Sequence, residues 1–170
     1  PNQDFMKGLR EITKANNILL VIDEVMTGFR KKFGGAQDYF GIQGDITCLG
    51  KVIGGGMPVG AYGARAEIID MVSPLGGVYQ AGTLSGNPIA MACGLATLKE
   101  LQKQDYDRAD RMGRAIKDCL EEEAEKAGIE IQVNQFGLMV NPFFTKQEVR
   151  DFDSAKTSDT ELFSKFFWAM

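Results

Sequence analysis

The sequence predicts an α/β fold, and three observations carry that prediction. A helical pattern runs straight into a solid apolar run, ILLVID (18–23), which is half of a βαβ unit. Further short apolar runs follow, joined by glycine-rich connections: of 20 glycines, 16 lie between Gly28 and Gly94. A charged amphipathic stretch then precedes two more short apolar runs, the pattern of a small α+β unit. At 170 residues and 44% hydrophobic, the chain has about one domain's worth of length and can bury a core.

Taken in order, Phe5, Leu9 and Ile12 recur at helical spacing, and Asn16 and Asn17 end that helix. The strand at 18–23 delivers Asp23 and Glu24 at its carboxyl end, where open parallel sheets place their ligands. After a loop in which AQDYF forms a helical turn, ITCLG (46–50) reads as a second strand with Lys51 at its end. PVGAYGAR (58–65) is a third strand and AEIIDMV a brief helix. Asn87 and Pro88 supply an N-cap and first helical position for a helix through Leu101. From Asp105 to Ala127 the apolar positions Ala109, Ile116, Leu120, Ala124 and Ala127 form one packed stripe of a surface helix. Gly128 ends it; IEIQV (129–133) and LMVNPFF (138–144) read as a strand pair. Leu162, Phe163, Phe166 and Phe167 begin a last helix. That helix has no stop signal and the chain opens on Pro1, so the sequence reads as a piece of a larger protein.

Composition excludes several chemistries. With no histidine, the chain by itself supplies no Ser/His/Asp or Cys/His pair and no histidine-bearing zinc site, so no metal is expected. Acid–base work falls to Lys, Asp, Glu, Tyr or Cys. The uncharged run from Met71 to Leu98 is interrupted by Pro74, Pro88 and five glycines, against a membrane span. A net charge of −4 offers no basic stripe for nucleic acid. Cys48, Cys93 and Cys119, far apart and odd in number, suit reduced thiols in a cytoplasmic setting, and no signal peptide is visible.

The segment GKVIGGGMPVGAYG (50–63) lacks the Lys-Ser/Thr of a P-loop and the third glycine of a dinucleotide fingerprint, so its glycines read as turns and close packing. Lys51 stands alone in an uncharged stretch between Asp45 and Arg65. Either it extends its ammonium to water, or apolar surroundings favour the neutral amine that attacks a carbonyl. Asp23 is likewise either a loop cap or a functional carboxylate. The pair is more telling, because a pyridinium cofactor needs a carboxylate at its ring nitrogen and an amine at its aldehyde. GTLSGNP (82–88) adds backbone N–H groups, the Thr83 and Ser85 hydroxyls and a helix start, suited to phosphate or to a plain helix-entry turn.

Three segments, LLVIDEVMTGFR, DITCLGKVIGGGMPVGAYGAR and VYQAGTLSGNPIAMACGLATL, together resemble the class III, pyridoxal-phosphate-dependent aminotransferases of fold type I. The resemblance extends through the C-terminal FFTKQEVRDFDSAKTSDTELFSKFFWAM. It implies part of a large cofactor-binding domain with a mainly parallel sheet over 1–104, and part of a C-terminal α+β small domain over 105–170. It implies pyridoxal 5'-phosphate and its pyridoxamine form as cofactor, Lys51 as catalytic residue holding the aldehyde and shuttling protons, and Asp23 at the ring nitrogen. Val25 would pack on the ring face, and Thr83 with the Gly82 backbone would reach the phosphate across a homodimer interface.

Many members carry a histidine just before the threonine of this loop, where the chain reads VYQAGT, and that departure resembles the family's aminomutase branch. The implied reaction is intramolecular: (S)-4-amino-5-oxopentanoate, a small-molecule substrate, becomes 5-aminolevulinate for tetrapyrrole synthesis. The implied location is the cytoplasm, or the plastid in a plant or alga. An intermolecular class III aminotransferase, and a silent fragment that neither closes its sheet nor binds cofactor alone, stay as alternative readings.

Overall fold

The computed structural model describes residues 1–170 and divides into two compact units, Pro1–Gln104 and Asp105–Met170. In the first, helix α1 (Gln3–Ala15) is capped by Asn2, whose side chain accepts from the Phe5 N–H at 2.7 Å. Strand β1 (Val21–Asp23) is shorter than the apolar run that contains it. The Leu20 carbonyl accepts the first ladder bond, from the Ile46 N–H at 3.2 Å, but the Leu20 N–H is taken by the Asp45 carboxylate at 2.8 Å, which ends the ladder there. Ile18 and Leu19 therefore stay outside the ladder, 57% and 49% exposed.

Helix α2 (Gly35–Phe40) leads to β2 (Ile46–Gly50), which pairs with β1 in parallel, Val21 opposite Ile46 and Asp23 opposite Cys48. Strand β3 (Gly60–Ala64) runs antiparallel to β2, so the three-stranded sheet holds one parallel and one antiparallel pair. Only Ala66–Ile69 of the brief helix forms, as α3. Helix α4 (Pro88–Leu101) starts where the sequence signals: Asn87 Oδ1 accepts from Ile89 and Ala90 at 3.1 and 3.2 Å, with proline in the first turn. Leu20, Phe40, Ile42, Ile53 and Ala90 are this unit's buried apolar residues.

In the second unit, α5 (Tyr106–Lys126) packs on a hairpin of β4 (Gln132–Phe136) and β5 (Met139–Phe143). Of the expected stripe, Ala109, Leu120 and Ala124 are half-buried, but the most buried positions are others. Asp110 and Gly113 are the helix's buried residues, whereas Ile116 is 50% exposed. Gly113 faces the turn, where a Cβ would lie 2.0 Å from the Gly137 carbonyl, and Gln135 Nε2 donates to Asp110 at 3.0 Å. Approach of the turn to Gly113 sets the helix rotation. The first hairpin strand begins three residues later than the apolar run suggested, because a two-residue turn at Gly137 (φ 60°) and Leu138 fixes Phe136 opposite Met139. A short helix α6 (Phe152–Ala155), invisible as an apolar pattern, is held by the reciprocal Asp151–Ser154 capping box. Helix α7 (Thr160–Ala169) puts Phe163 and Phe166 against the Phe144 ring, centroids 6.4 and 5.6 Å away. No helix is long and apolar enough to cross a membrane.

Candidate active site

Parallel pairing of β1 with β2 brings their carboxyl ends together. The ladder continues one step past β1, the Glu24 N–H donating to the Cys48 carbonyl at 2.8 Å. Val25 follows that bond on one strand, and Leu49, Gly50 and Lys51 follow it on the other. Val25 lies over Gly50: a Cβ at Gly50 would sit 3.4 Å from both Val25 γ-methyls. Asp23 is exposed and oriented locally, one carboxylate oxygen accepting from the Val25 N–H at 2.8 Å. Asp23, Val25 and Lys51 thus occupy one end of the sheet.

Lys51 opens a 3₁₀ turn, Lys51–Gly54, with φ 48°, a left-handed conformation that costs an L-residue about 1 kcal/mol or more. The far end of the turn is fixed. Ile53 and Gly54 are buried, and Gly55, at φ 58°, leaves no room for a side chain, since a Cβ would lie 2.6 Å from the Cys93 carbonyl. From the helix side, a Cβ on Gly94 would lie 2.4 Å from the Ile53 carbonyl. Two glycines therefore let α4 close on the turn that carries the lysine. Lys51 itself is exposed, so the apolar enclosure suggested by its sequence neighbours is not formed by these 170 residues.

The Gly82–Thr83 segment stands apart. Thr83 is exposed in a turn over 83–86, closed by the Ser85 N–H donating to the Gly82 carbonyl at 2.9 Å. Gly82 lines a cavity of about 450 Å³ with Cys48, Gly60, Tyr62 and Ser85, and neither Lys51, Asp23 nor Val25 reaches it. A larger cavity, about 850 Å³, lies around Asp45, Arg10 and Arg65 and does not include Lys51 either. No group of His, Cys, Asp and Glu side chains is placed to hold a metal ion. Of the Asp23–Glu24 pair, Glu24 is the buried member, 2% exposed, a distinction that the adjacent letters do not carry.

Residues 1–164 match the family model for aminotransferase class III. The chain belongs to that family. Its class III relatives include proteins named glutamate-1-semialdehyde 2,1-aminomutase from Persephonella marina, Aquifex aeolicus and Natranaerobius thermophilus, which are 54%, 53% and 50% identical over the whole chain. The chain spans about 40% of the length of these curated relatives.

Among solved structures, a β-phenylalanine aminotransferase from Variovorax paradoxus superposes with a TM-score of 0.82 at 32% identity, over 95% of this chain and 38% of that one. A lysine-to-alanine variant of a glutamate-1-semialdehyde-aminomutase from Pseudomonas aeruginosa PAO1, in complex with PMP, superposes with a TM-score of 0.79 at 27% identity, over 94% and 37%. The fold is that of the type I pyridoxal-phosphate-dependent transferases, here a partial mixed α/β domain.

Proposed function

We propose that the protein to which this chain belongs is a pyridoxal-phosphate-dependent aminomutase that converts (S)-4-amino-5-oxopentanoate, glutamate 1-semialdehyde, to 5-aminolevulinate, a step of tetrapyrrole synthesis. The observation that carries this reading is identity of 50–54% over the whole chain with relatives that bear the aminomutase name. Substrate and product are isomers in which the amino and oxo groups of carbons 4 and 5 change places, so no external amino donor is consumed.

The donor set at the ends of β1 and β2 fits such a cofactor, offering a carboxylate, an apolar face and a primary amine from adjacent strands. Pyridoxal 5'-phosphate, when bound, supplies an electron sink, and in its pyridoxamine form the amino group. Lys51 holds the aldehyde and afterwards carries protons between the substrate carbons. Asp23, kept in place by the Val25 N–H, holds a proton on the ring nitrogen, and Val25 presents its methyls to the ring face. In this reading the Gly82–Thr83 turn, which lines a cavity that neither Lys51, Asp23 nor Val25 lines, serves the second copy in a homodimer, where the Thr83 hydroxyl and Gly82 N–H bind phosphate. The 1–104 segment acts as part of the cofactor-binding domain and 105–170 as part of the small domain. A cytoplasmic setting, or a plastid in a plant or alga, accompanies this reading.

The test uses the full-length protein and glutamate 1-semialdehyde with no added amino acceptor or donor. Sustained formation of 5-aminolevulinate is the expected result; a stop after one equivalent of enzyme identifies an intermolecular aminotransferase instead. In Lys51→Ala the near-visible absorption of the lysine-bound cofactor disappears and turnover falls by about 10³-fold. A full-length protein without that band overturns the cofactor assignment.

A further inference from the structure

Glu24 lies between the two residues assigned to the cofactor ring, yet its side chain turns away into the protein, where it is 2% exposed. Buried carboxylates persist where donors satisfy them. Here one oxygen accepts from the Gln37 N–H at 2.8 Å; the other accepts from the Ala36 N–H at 3.0 Å and from the Thr27 hydroxyl. The first two donors are unpaired N–H groups of the opening turn of α2, whose N-cap, Gly34, has no side chain to satisfy them. Glu24 does this from a different segment of the chain. Gly35 admits it: at φ 73°, a Cβ there would sit 2.6 Å from the carboxylate.

Main-chain bonds hold the same residue from two further directions. Its N–H is bound to Cys48 of β2, and its carbonyl accepts from the Gly28 N–H at 2.8 Å, closing the turn that presents Val25. Gln37 carries the connection onward, its side chain donating to Thr47 Oγ1 at 3.1 Å and accepting from the Gly44 N–H at 2.8 Å. The peptide between Asp23 and Val25 is therefore clamped to β2, to α2 and to its own turn. Since the Asp23 carboxylate is aimed by the Val25 N–H, its direction depends on that clamp.

We propose that Glu24 is a positioning residue: its buried carboxylate, bound to the first turn of α2, fixes the direction in which Asp23 and Val25 meet the cofactor ring. The proposal rests on the cofactor reading of Asp23 and Lys51. In Glu24→Ala both oxygens are lost. In Glu24→Gln an amide NH₂ faces an N–H donor, so one of the two attachments fails while the side-chain volume is kept.

The experiment measures, in the full-length protein, the pH titration of the near-visible band, the dissociation constant of pyridoxal 5'-phosphate, and amide hydrogen exchange of residues 25–37 in the cofactor-free protein. Glu24→Ala is expected to lose cofactor affinity by tenfold or more, to shift the titration in the direction of Asp23→Asn, and to lose exchange protection across 25–37. Glu24→Gln lies between it and the parent and serves where Glu24→Ala does not fold. Affinity within twofold of the parent and an unshifted titration in Glu24→Gln, whatever the change in thermal stability, overturn the positioning role. Absence of the band in the parent protein is a separate result: it removes the cofactor reading, and with it the proposal.

Discussion

Asp45 shows at residue scale how the strand order is held. Its carboxylate accepts from the Leu20 N–H at 2.8 Å and from Arg10 and Arg65 at 2.9 and 2.8 Å, tying α1, the entry to β1 and the end of β3 to the start of β2. The Leu20 N–H, followed by the Arg10 guanidinium, lowers its pKa from 3.8 to about 2. A depressed acid stabilises the fold above its unfolded value and ceases to do so as pH falls through its folded value. Asp45→Asn is accordingly expected to reduce stability at pH 6, with the deficit shrinking between pH 4 and pH 2; urea midpoints of parent and variant across that range check the sign. Lys51 offers a second residue-scale prediction, because its φ of 48° burdens any L-residue and not its amine. In cofactor-free protein, Lys51→Gly should be about 1 kcal/mol more stable than Lys51→Ala although both lose the amine proposed to hold the cofactor. Equal urea midpoints would show that the backbone there is unstrained.

At the scale of elements, the turn carrying Lys51 is positioned by α4, and that contact is made by absent side chains. Gly94→Ala improves intrinsic helix propensity by up to about 1 kcal/mol, but its methyl would approach the Ile53 carbonyl to 2.4 Å. Overpacking wins: the expected result is a net loss of about 1–3 kcal/mol by denaturant unfolding, together with weaker cofactor binding as the turn shifts. A more stable Gly94→Ala with unchanged affinity would show that α4 does not position Lys51. This contact was not legible in the sequence, where Gly94 is one more small residue in an apolar helix. What was legible rests on local rules. Asn87–Pro88 announced α4, the run ITCLG matched β2 residue for residue, and the parallel pairing puts the carboxyl ends of the strands that lead to Asp23 and Lys51 at the same end of the sheet. The differences share a cause in longer-range contacts: the Asp45 carboxylate takes the Leu20 N–H that a longer β1 would pair, the Gly137 turn moves β4, and approach of that turn to Gly113 buries Asp110 and Gly113 of α5 while Ile116 stays exposed.

Over the whole molecule the apolar residues outnumber the places that bury them. The first unit buries Leu20, Phe40, Ile42, Ile53 and Ala90, while Val21 on β1 is 54% exposed and Ile89 and Leu95 on α4 are 61% and 56% exposed. In the second unit Val133, Phe144 and Val149 are buried, but Phe167 and Trp168 of α7 are 61% and 82% exposed. Large apolar side chains left exposed within each unit suit contact with further protein, and a small buried core leaves little to offset chain entropy. This chain spans about 40% of the length of its curated relatives, which therefore have further chain to set against such surface. Expressed by itself, the 170-residue chain is therefore expected to bind a hydrophobic dye at neutral pH, to self-associate as concentration rises, and to unfold over a broad denaturant range with a slope below that of a two-state domain of its size. It is also expected to take up pyridoxal 5'-phosphate at least tenfold more weakly than the full-length protein, because the sheet end bearing Asp23 and Lys51 is open on the sides these residues do not enclose. Dye fluorescence, sedimentation velocity and a urea titration decide the matter; a monomer that excludes the dye and unfolds in one steep transition would show that the two units need no further chain to complete their cores.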